Sequence, residues 1–474
     1  MPLLKNITTE GTENTEKNKK KNSADSALSA VKSLVDRLVT YRILRFDAHD
    51  RTYTTHPLIR NHYLALLTKG DAAQEKSAHE QIKDYYLSIA GDTPEYPTLD
   101  DLKPLIEVVH HACEAGAYDE AWCVYWERIS QRDRFVIVLQ LGAYETTLAL
   151  MFEFFPNGDT TQEPQVSNPS ARVFILNAIG FRLMSLGRLS EVLAFYERAL
   201  NSSLANGNLD NASSGYQNLA ELNVYCGALS ASVEAARDGL ILDRKKKNKG
   251  NERISLSRQA WAEHLCGNLS TATLIFAQAE KLEKEVDSNA KYLYSQRGIL
   301  HSDHLRCIGQ ADYSRRITET NLSSCEERQV DQQISQCHRV LGDLDSDSGD
   351  HTSARVHYDT ALKIGRSISF RPALIEALLA RGRWSVKYMQ DATSAFNDLN
   401  EALGYAVDGG YRIYEADIRV ALAWGWIVDS GQWVVNREKA KMEAGRALRM
   451  SEEMGYYWGK VDAEEVLKVV SGQG

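Results

Sequence analysis

LNAIGFRLMSLGRLSEVLAFYERAL, residues 176–200, is the unit from which most of the chain is built. Its glycine, Gly187, returns as Gly227, Gly267, Gly309 and Gly349, at steps of 40, 40, 42 and 40 residues. Seven residues before each glycine stands a small residue (Gly180, Ala220, Ala260, Ser302, Gly342), and five after it a small or short one (Val192, Ser232, Ala272, Ser314, Ala354). Nine residues after it comes a knob that is aromatic in three repeats (Tyr196, Phe276, Tyr358) and smaller in two (Ala236, Thr318). A glycine that tolerates left-handed backbone turns the chain between two antiparallel helices, and small residues on the facing sides let the axes approach to about 8–10 Å. The pattern predicts a stack of helix pairs, an architecture that more often presents a binding surface than a catalytic centre.

This is the grammar of tetratricopeptide repeats, and the expected fold class is all-α: a tetratricopeptide-type α-solenoid of about 40-residue helix–turn–helix repeats behind a small winged-helix-like unit. Residues 1–24, polar and with lysines interleaved with Glu10, Glu13 and Glu16, read as a solvated tail. Residues 25–70 read as the winged-helix-like remnant: a helix through Leu28, Val31, Leu34, Val35 and Leu38, a hairpin over residues 41–56, and a helix opened by Pro57. Residues 71–156 carry N-terminal helical repeats, among them HHACEAGAYDEAWCVYW with Gly116, Ala121 and Tyr125 at the turn, small and aromatic positions. The Pro-, Asn- and Ser-rich stretch 157–170 is expected to be an exposed linker, 171–456 the superhelix, and 457–474 a capping helix.

Of 474 residues, 43% are hydrophobic and 25% charged, as in a soluble globular protein, and the net charge of -9 disfavours a dedicated nucleic-acid binder. No stretch has the length of uncharged apolar residues that a membrane span needs, and MPLLKNITTE lacks the form of a signal peptide, so the cytoplasm is the expected location. The seven cysteines form no CxxC pair and are expected to be small core residues.

DLDSDSGD, residues 343–350, has the look of a calcium loop, but Ser348 holds the place where that loop needs glycine and Ala354 the place of its glutamate. His110, Cys113 and Glu114 share one helical turn, which supplies two ligands at most, so packing is preferred to metal. No GxSxG elbow or GxxxxGK[ST] loop occurs; no catalytic residue, metal or cofactor is expected. Asn177, Phe181, Gln217, Glu221, Ser257 and Trp261 occupy the inner positions where a clamp for acidic C-terminal tails would need Lys and Asn.

RTYTTHPLIRNHYL, LYSQRGILHSD, RPALIEALLARGRW, DLNEALGYAVDGGYRIYEAD and EEMGYYWGKVDAEEVL, with the opening unit, resemble the winged-helix and tetratricopeptide sensor half of bacterial signal-transduction ATPases of the STAND class. The likeness spans nearly everything after residue 25. It implies that His56, in THPLIR, corresponds to the histidine that touches the nucleotide phosphate, a contact that requires an ATPase partner because this chain lacks the phosphate loop. The chain therefore resembles a sensor half without its motor, either standing alone or as a fragment of a split gene.

The inner wall of the superhelix is the expected binding surface. Trp261, Tyr294, Arg297, Asp303, Arg381, Arg412 and Asp417 are its candidate residues, charges of both signs with aromatics as a pocket for a small polar ligand or peptide requires. The expected role is a non-catalytic interaction or ligand-sensing module of a signalling ATPase system, with a protein partner such as a P-loop ATPase or effector. The rivals are an assembly adaptor without a small ligand, and a DNA-binding regulator using the winged helix. Against the latter, VKSLVDRLVTYR offers only Lys32, Arg37 and Arg42 as bases.

Overall fold

The computed structural model describes residues 32–47, 52–55, 72–389, 391–428 and 433–472, and the chain divides into two compact units, residues 1–132 and 133–474. In the first, helix α1 (residues 32–40) precedes strands β1 (Leu44–Asp47) and β2 (Thr52–Thr55), an antiparallel pair with Leu44 opposite Thr55. His56 and the helix expected from Pro57 to Gly70 lie outside the described residues. Three helices follow: α2 (Ala72–Ile89), α3 (Leu99–Glu114) and α4 (Tyr118–Val124), the last extended by a π-helical turn over Tyr125–Ile129. Thr98 opens α3 with a reciprocal cap, its hydroxyl accepting from the Asp101 amide while the Asp101 carboxylate accepts from the Thr98 amide. Around Gly116 the packing is that of a repeat, with Ala121 and Tyr125 fully buried. His110 and His111 pack ring against ring, and His111 Nδ1 lies 2.8 Å from His79 Nδ1.

The second unit begins with α5 (Val136–Leu139) and α6 (Tyr144–Phe152), then stacks helix pairs. These are α7 (Pro169–Ser185) with α8 (Leu189–Ala205), α9 (Leu209–Tyr225) with α10 (Leu229–Lys246), and α11 (Lys249–Leu265) with α12 (Leu269–Val286). Next come α13 (Gln296–Cys307) with α14 (Ala311–Glu327), and α15 (Asp331–Ser348) with α16 (His351–Ser367). The stack ends with α17 (Arg371–Trp384), α18 (Ala392–Gly409), α19 (Arg412–Val428), α20 (Trp433–Met454) and α21 (Tyr457–Ser471). The fold is an all-α solenoid of the tetratricopeptide type.

The repeated residues act as their spacing predicts. All five recurring glycines have φ between 75° and 87°, where a side chain is strained, and the amide beyond each donates back into the preceding helix, as Arg188 does to the Leu183 carbonyl at 2.8 Å. The small position seven residues earlier receives the aromatic knob: a Cβ on Gly180 would lie 2.3 Å from Tyr196 Cε1, and one on Gly342 would lie 2.7 Å from Tyr358 Cε1. Where both are small the helices interlock through polar atoms instead, as when Ser314 Oγ donates to the Ser302 carbonyl at 2.8 Å.

Residues 157–170 form an irregular, mostly exposed connection, pinned where Arg198 donates to the Thr160 and Gln162 carbonyls and where Val166 is buried. Asp343, Asp345 and Asp347 are helical, within α15, so DLDSDSGD is the end of a first helix and its aspartates pair with arginines. One expectation needs revision: of the seven cysteines Cys123 and Cys307 are exposed rather than in the core. Among the described residues no single helix is long and apolar enough to cross a membrane.

Candidate ligand-binding cavity

A feature absent from the repeat pattern decides the site: the second unit winds back onto itself. The Tyr411 hydroxyl donates to the Met184 carbonyl 227 residues earlier, Trp458 Nε1 donates to the His264 carbonyl at 3.2 Å across 194 residues, and the Tyr144 hydroxyl meets Gln332 across 188. Turn glycines form the seats. Gly187 sits under Gly409 and Tyr411, Gly227 under Met454 and Arg412, and Gly267 under Tyr457, whose Cγ would be 2.6 Å from an added Cβ. Gly309 and Gly349, equally left-handed, have nothing within 4 Å of that position among the described residues. The glycines before residue 270 thus serve twice, as turns and as landing points for the next superhelical turn.

Closure leaves a cavity of about 820 Å³, partly open to solvent and lined mainly by the first helices of six successive pairs and by the segment 456–465. Each first helix offers a stripe at helical spacing, for example Arg258, Trp261, His264 and Leu265 on α11, or Glu376, Leu379, Ala380, Arg383 and Trp384 on α17. Equivalent positions in neighbouring pairs face each other, so polar side chains bond one repeat onward. Arg258 donates to Glu221 at 2.6 Å and to Gln296 at 3.0 Å; Arg339 donates to Asp303 at 2.8 Å; Glu376 accepts from Gln336 at 3.1 Å and from the Tyr414 hydroxyl. Arg383 lies 3.4 Å from Asp417, which accepts from the Tyr456 hydroxyl at 3.0 Å. The result is a polar ladder along an otherwise aromatic and aliphatic wall.

Burial dominates the electrostatics. It pushes the Asp417 carboxyl up to about 6, with Arg383 pulling back and Asp462 adding to the rise. Burial also raises Glu376, an effect that Arg339 opposes. It pushes the His264 imidazole down to about 3, helped by His304, whose Nδ1 is 3.2 Å away. Three buried donors on the lining, Trp384 Nε1, Arg306 Nε and Arg339 Nε, have no acceptor among the described residues.

Of the seven candidates, the cavity brings together Trp261, Asp303 and Asp417. The other four lie off its lining. Arg381 is on the flank of α17, donating to Asp398 and Asp359 of second helices at 2.8 Å each, while Arg383, two residues on, faces inward. Arg412 is the first residue of its helix and reaches outward to Glu453 at 2.7 Å. Arg297 is turned to Glu283 on α12 at 3.2 Å, and Tyr294, before α13, carries the Arg328 guanidinium 4.8 Å over its ring. Arg339, Glu376, Arg383, Trp384, Tyr456 and Trp458 went unsingled in the sequence. The signal for the ladder is there: Glu221, Arg258 and Gln296 are 37 and 38 residues apart, and Asp303, Arg339, Glu376 and Tyr414 are 36, 37 and 38 apart.

No protein-family model and no curated protein matches the chain. Solved structures do. One is a Rap protein complexed with competence and sporulation factor, at 12% identity over 71% of this chain and 96% of that one, TM-score 0.43. Another is the Rap conjugation gene regulator of plasmid pLS20 in complex with the Phr peptide, at 11% identity over 80% and 97%, TM-score 0.45. A third is a signal-transduction ATPase with numerous domains and a tetratricopeptide repeat sensor from Pyrococcus horikoshii, at 10% identity over 91% of this chain and 54% of that one, TM-score 0.34. This chain spans about half the length of that ATPase. The likeness is one of helical-repeat architecture.

Proposed function

We propose that this chain is a non-catalytic sensing and interaction module that captures a peptide or small polar ligand inside its closed superhelix. The observation that carries the reading is the cavity itself. Its volume falls within the range of about 300–1,000 Å³ usual for ligand sites, its walls are largely aromatic and aliphatic, and its polar groups converge from six repeats. A ligand touching first helices and segment 456–465 together couples both ends of the superhelical turn, so it favours the closed form by its differential affinity for it. The partner that reads this change is, on the resemblance of the sequence to STAND sensors, a P-loop ATPase or effector, and with an ATPase as partner His56 contacts its bound nucleotide.

The test is selection from a phage-displayed random-peptide library, followed by titration of enriched peptides against the parent and Ala380→Trp. Ala380 is 7% exposed on the cavity wall, and an indole there fills the space. Binding lost in Ala380→Trp at unchanged helicity supports the cavity. Peptides that bind both proteins equally place the interaction on the outer surface, as an assembly adaptor would have it, and the proposal fails.

A further inference from the structure

The cavity is not neutral. Beyond the Glu221–Arg258 pair and the balancing Lys387 and Glu465, its lining carries six carboxylates: Asp303, Asp343, Asp347, Glu376, Asp417 and Asp462. Only three guanidinium groups, Arg306, Arg339 and Arg383, face them. These arginines are already shared. Arg339 lies within 3.6 Å of Asp343 and of Glu376 besides its bonds to Asp303, and Arg306 divides itself between Asp347 at 2.9 Å and Asp343 at 3.8 Å. Asp417 takes Arg383, and Asp462 on α21 shares Arg383 and Lys387 as its cationic neighbours, with no closer ion pair or hydrogen bond among the described residues. A partly covered site with more carboxylates than cations lacks positive charge, and water screens the excess at its buried members Asp303, Glu376 and Asp417 less than on an open surface.

A second, independent feature points to a ligand. Trp384 is 6% exposed, lines the same cavity, and its indole N–H has no acceptor among the described residues. A buried donor left unpaired costs about 1–3 kcal/mol, so an occupant that supplies an acceptor is favoured. Trp424 and Trp458 give the wall the aromatic faces on which a cation also rests well.

Building on the ligand-binding reading above, we propose that the occupant is a basic peptide segment, whose ammonium or guanidinium group meets the excess carboxylates near Asp417 and Asp462 while its carbonyl oxygens reach donors such as Trp384. A free polyamine shares the cation and lacks the acceptor. An acidic or neutral ligand leaves the carboxylate excess unanswered.

Calorimetric titration with four probes separates these possibilities: a lysine–tryptophan–lysine tripeptide, the same peptide acetylated at both side-chain amines, its glutamate counterpart, and spermidine. The basic tripeptide is expected to bind at least tenfold more tightly than the acetylated and glutamate forms and more tightly than spermidine, with affinity falling as salt rises. Asp462→Lys is expected to weaken it at least tenfold. Asp462 is half-buried beside Arg383 and Lys387, so a lysine there is expected to lower the melting temperature somewhat, and melting is measured alongside to show that the variant is folded at the temperature of the titration. Should Asp462→Lys fail to fold, Asp462→Asn serves, with a smaller loss expected. Equal binding of the acetylated or glutamate peptide, tighter binding of spermidine, indifference to the Asp462 change, or no binding of the basic tripeptide overturns the proposal. Ala380→Trp separates the two readings: if it abolishes binding of a non-basic probe, the cavity stands and the ligand class falls; if it leaves every probe's binding unchanged, the cavity falls too.

Discussion

Gly267→Ala and Gly349→Ala form a matched pair that isolates the closure of the superhelix. Both glycines end a first helix in the left-handed region, at φ 84° and 87°, so both substitutions carry the same backbone strain, roughly 1–2 kcal/mol. Only Gly267 is covered: an added Cβ would come within 2.6 Å of Tyr457 Cγ and 2.7 Å of Cδ2, whereas at Gly349 it meets nothing within 4 Å. Rotation of the ring does not relieve the contact, because the Tyr457 Cβ would itself lie 2.9 Å away. Overpacking of this kind costs about 1–3 kcal/mol. Equilibrium urea unfolding is therefore expected to show Gly267→Ala less stable than Gly349→Ala by about 1–3 kcal/mol. Hydrogen exchange over Tyr457–Ser471 is expected to quicken only in the former. Equal stabilities with unchanged exchange would mean that Tyr457 does not rest on Gly267 and that the superhelix is open.

Further outcomes follow from the ladder and from the buried imidazoles. Arg339→Met strands Asp303 and Glu376 in the cavity wall and is expected to cost about 3–5 kcal/mol, whereas Arg412→Ala, at the solvent-facing Arg412–Glu453 pair, is expected to cost under about 1 kcal/mol and to leave ligand capture intact; equal penalties would contradict the placement of the two arginines. Burial holds His264, His301 and His304 at about 3, 4 and 4 in the folded protein, below their unfolded value near 6.5. The unfolded chain thus binds more protons between about pH 6.5 and 4, and stability falls as pH falls through that window, by about 4 kcal/mol per pH unit for three groups. Asp417, raised to about 6, works the other way and returns about 1.4 kcal/mol per unit between about pH 6 and 4. A net loss between pH 6 and 5, measured by urea unfolding and reduced in His304→Leu, is expected; a flat profile would contradict the burial of these imidazoles.

The helix pairs were legible because each depends on residues within about 40 positions: Gly187 turns the chain and Gly180 admits Tyr196. Closure was not, because it comes from small rotations summed over about five repeats, and no local pattern marks Gly267 as the seat of Tyr457 and Gly349 as bare. The site was read in part for a related reason. Asp303 and Asp417 belong to stripes flanked by contrasting residues, but RPALIEALLARGRW is apolar nearly all round and buried on most sides, so nothing in it sets the phase that puts Arg383 inward and Arg381 on the flank. Arg412 and Tyr294 fall at a helix start and before one, where helical spacing gives no direction. The segment 457–474 reads as a cap because Ala463 and Val466 are buried, yet its Asp462 and Glu465 also line the cavity.

The central claim, that one ligand is enclosed by helices far apart in sequence, is tested most directly by hydroxyl-radical footprinting of tryptophans with the tightest peptide from the library selection. Trp261, Trp424 and Trp458 lie on α11, α19 and α21, are half-buried, and face the same cavity, while Trp122 and Trp126 belong to the first unit. Saturating peptide is expected to slow oxidation of all three cavity tryptophans together and to leave Trp122 and Trp126 unchanged. Protection of one cavity tryptophan alone, or of Trp122 and Trp126 instead, would contradict a site shared by these three helices.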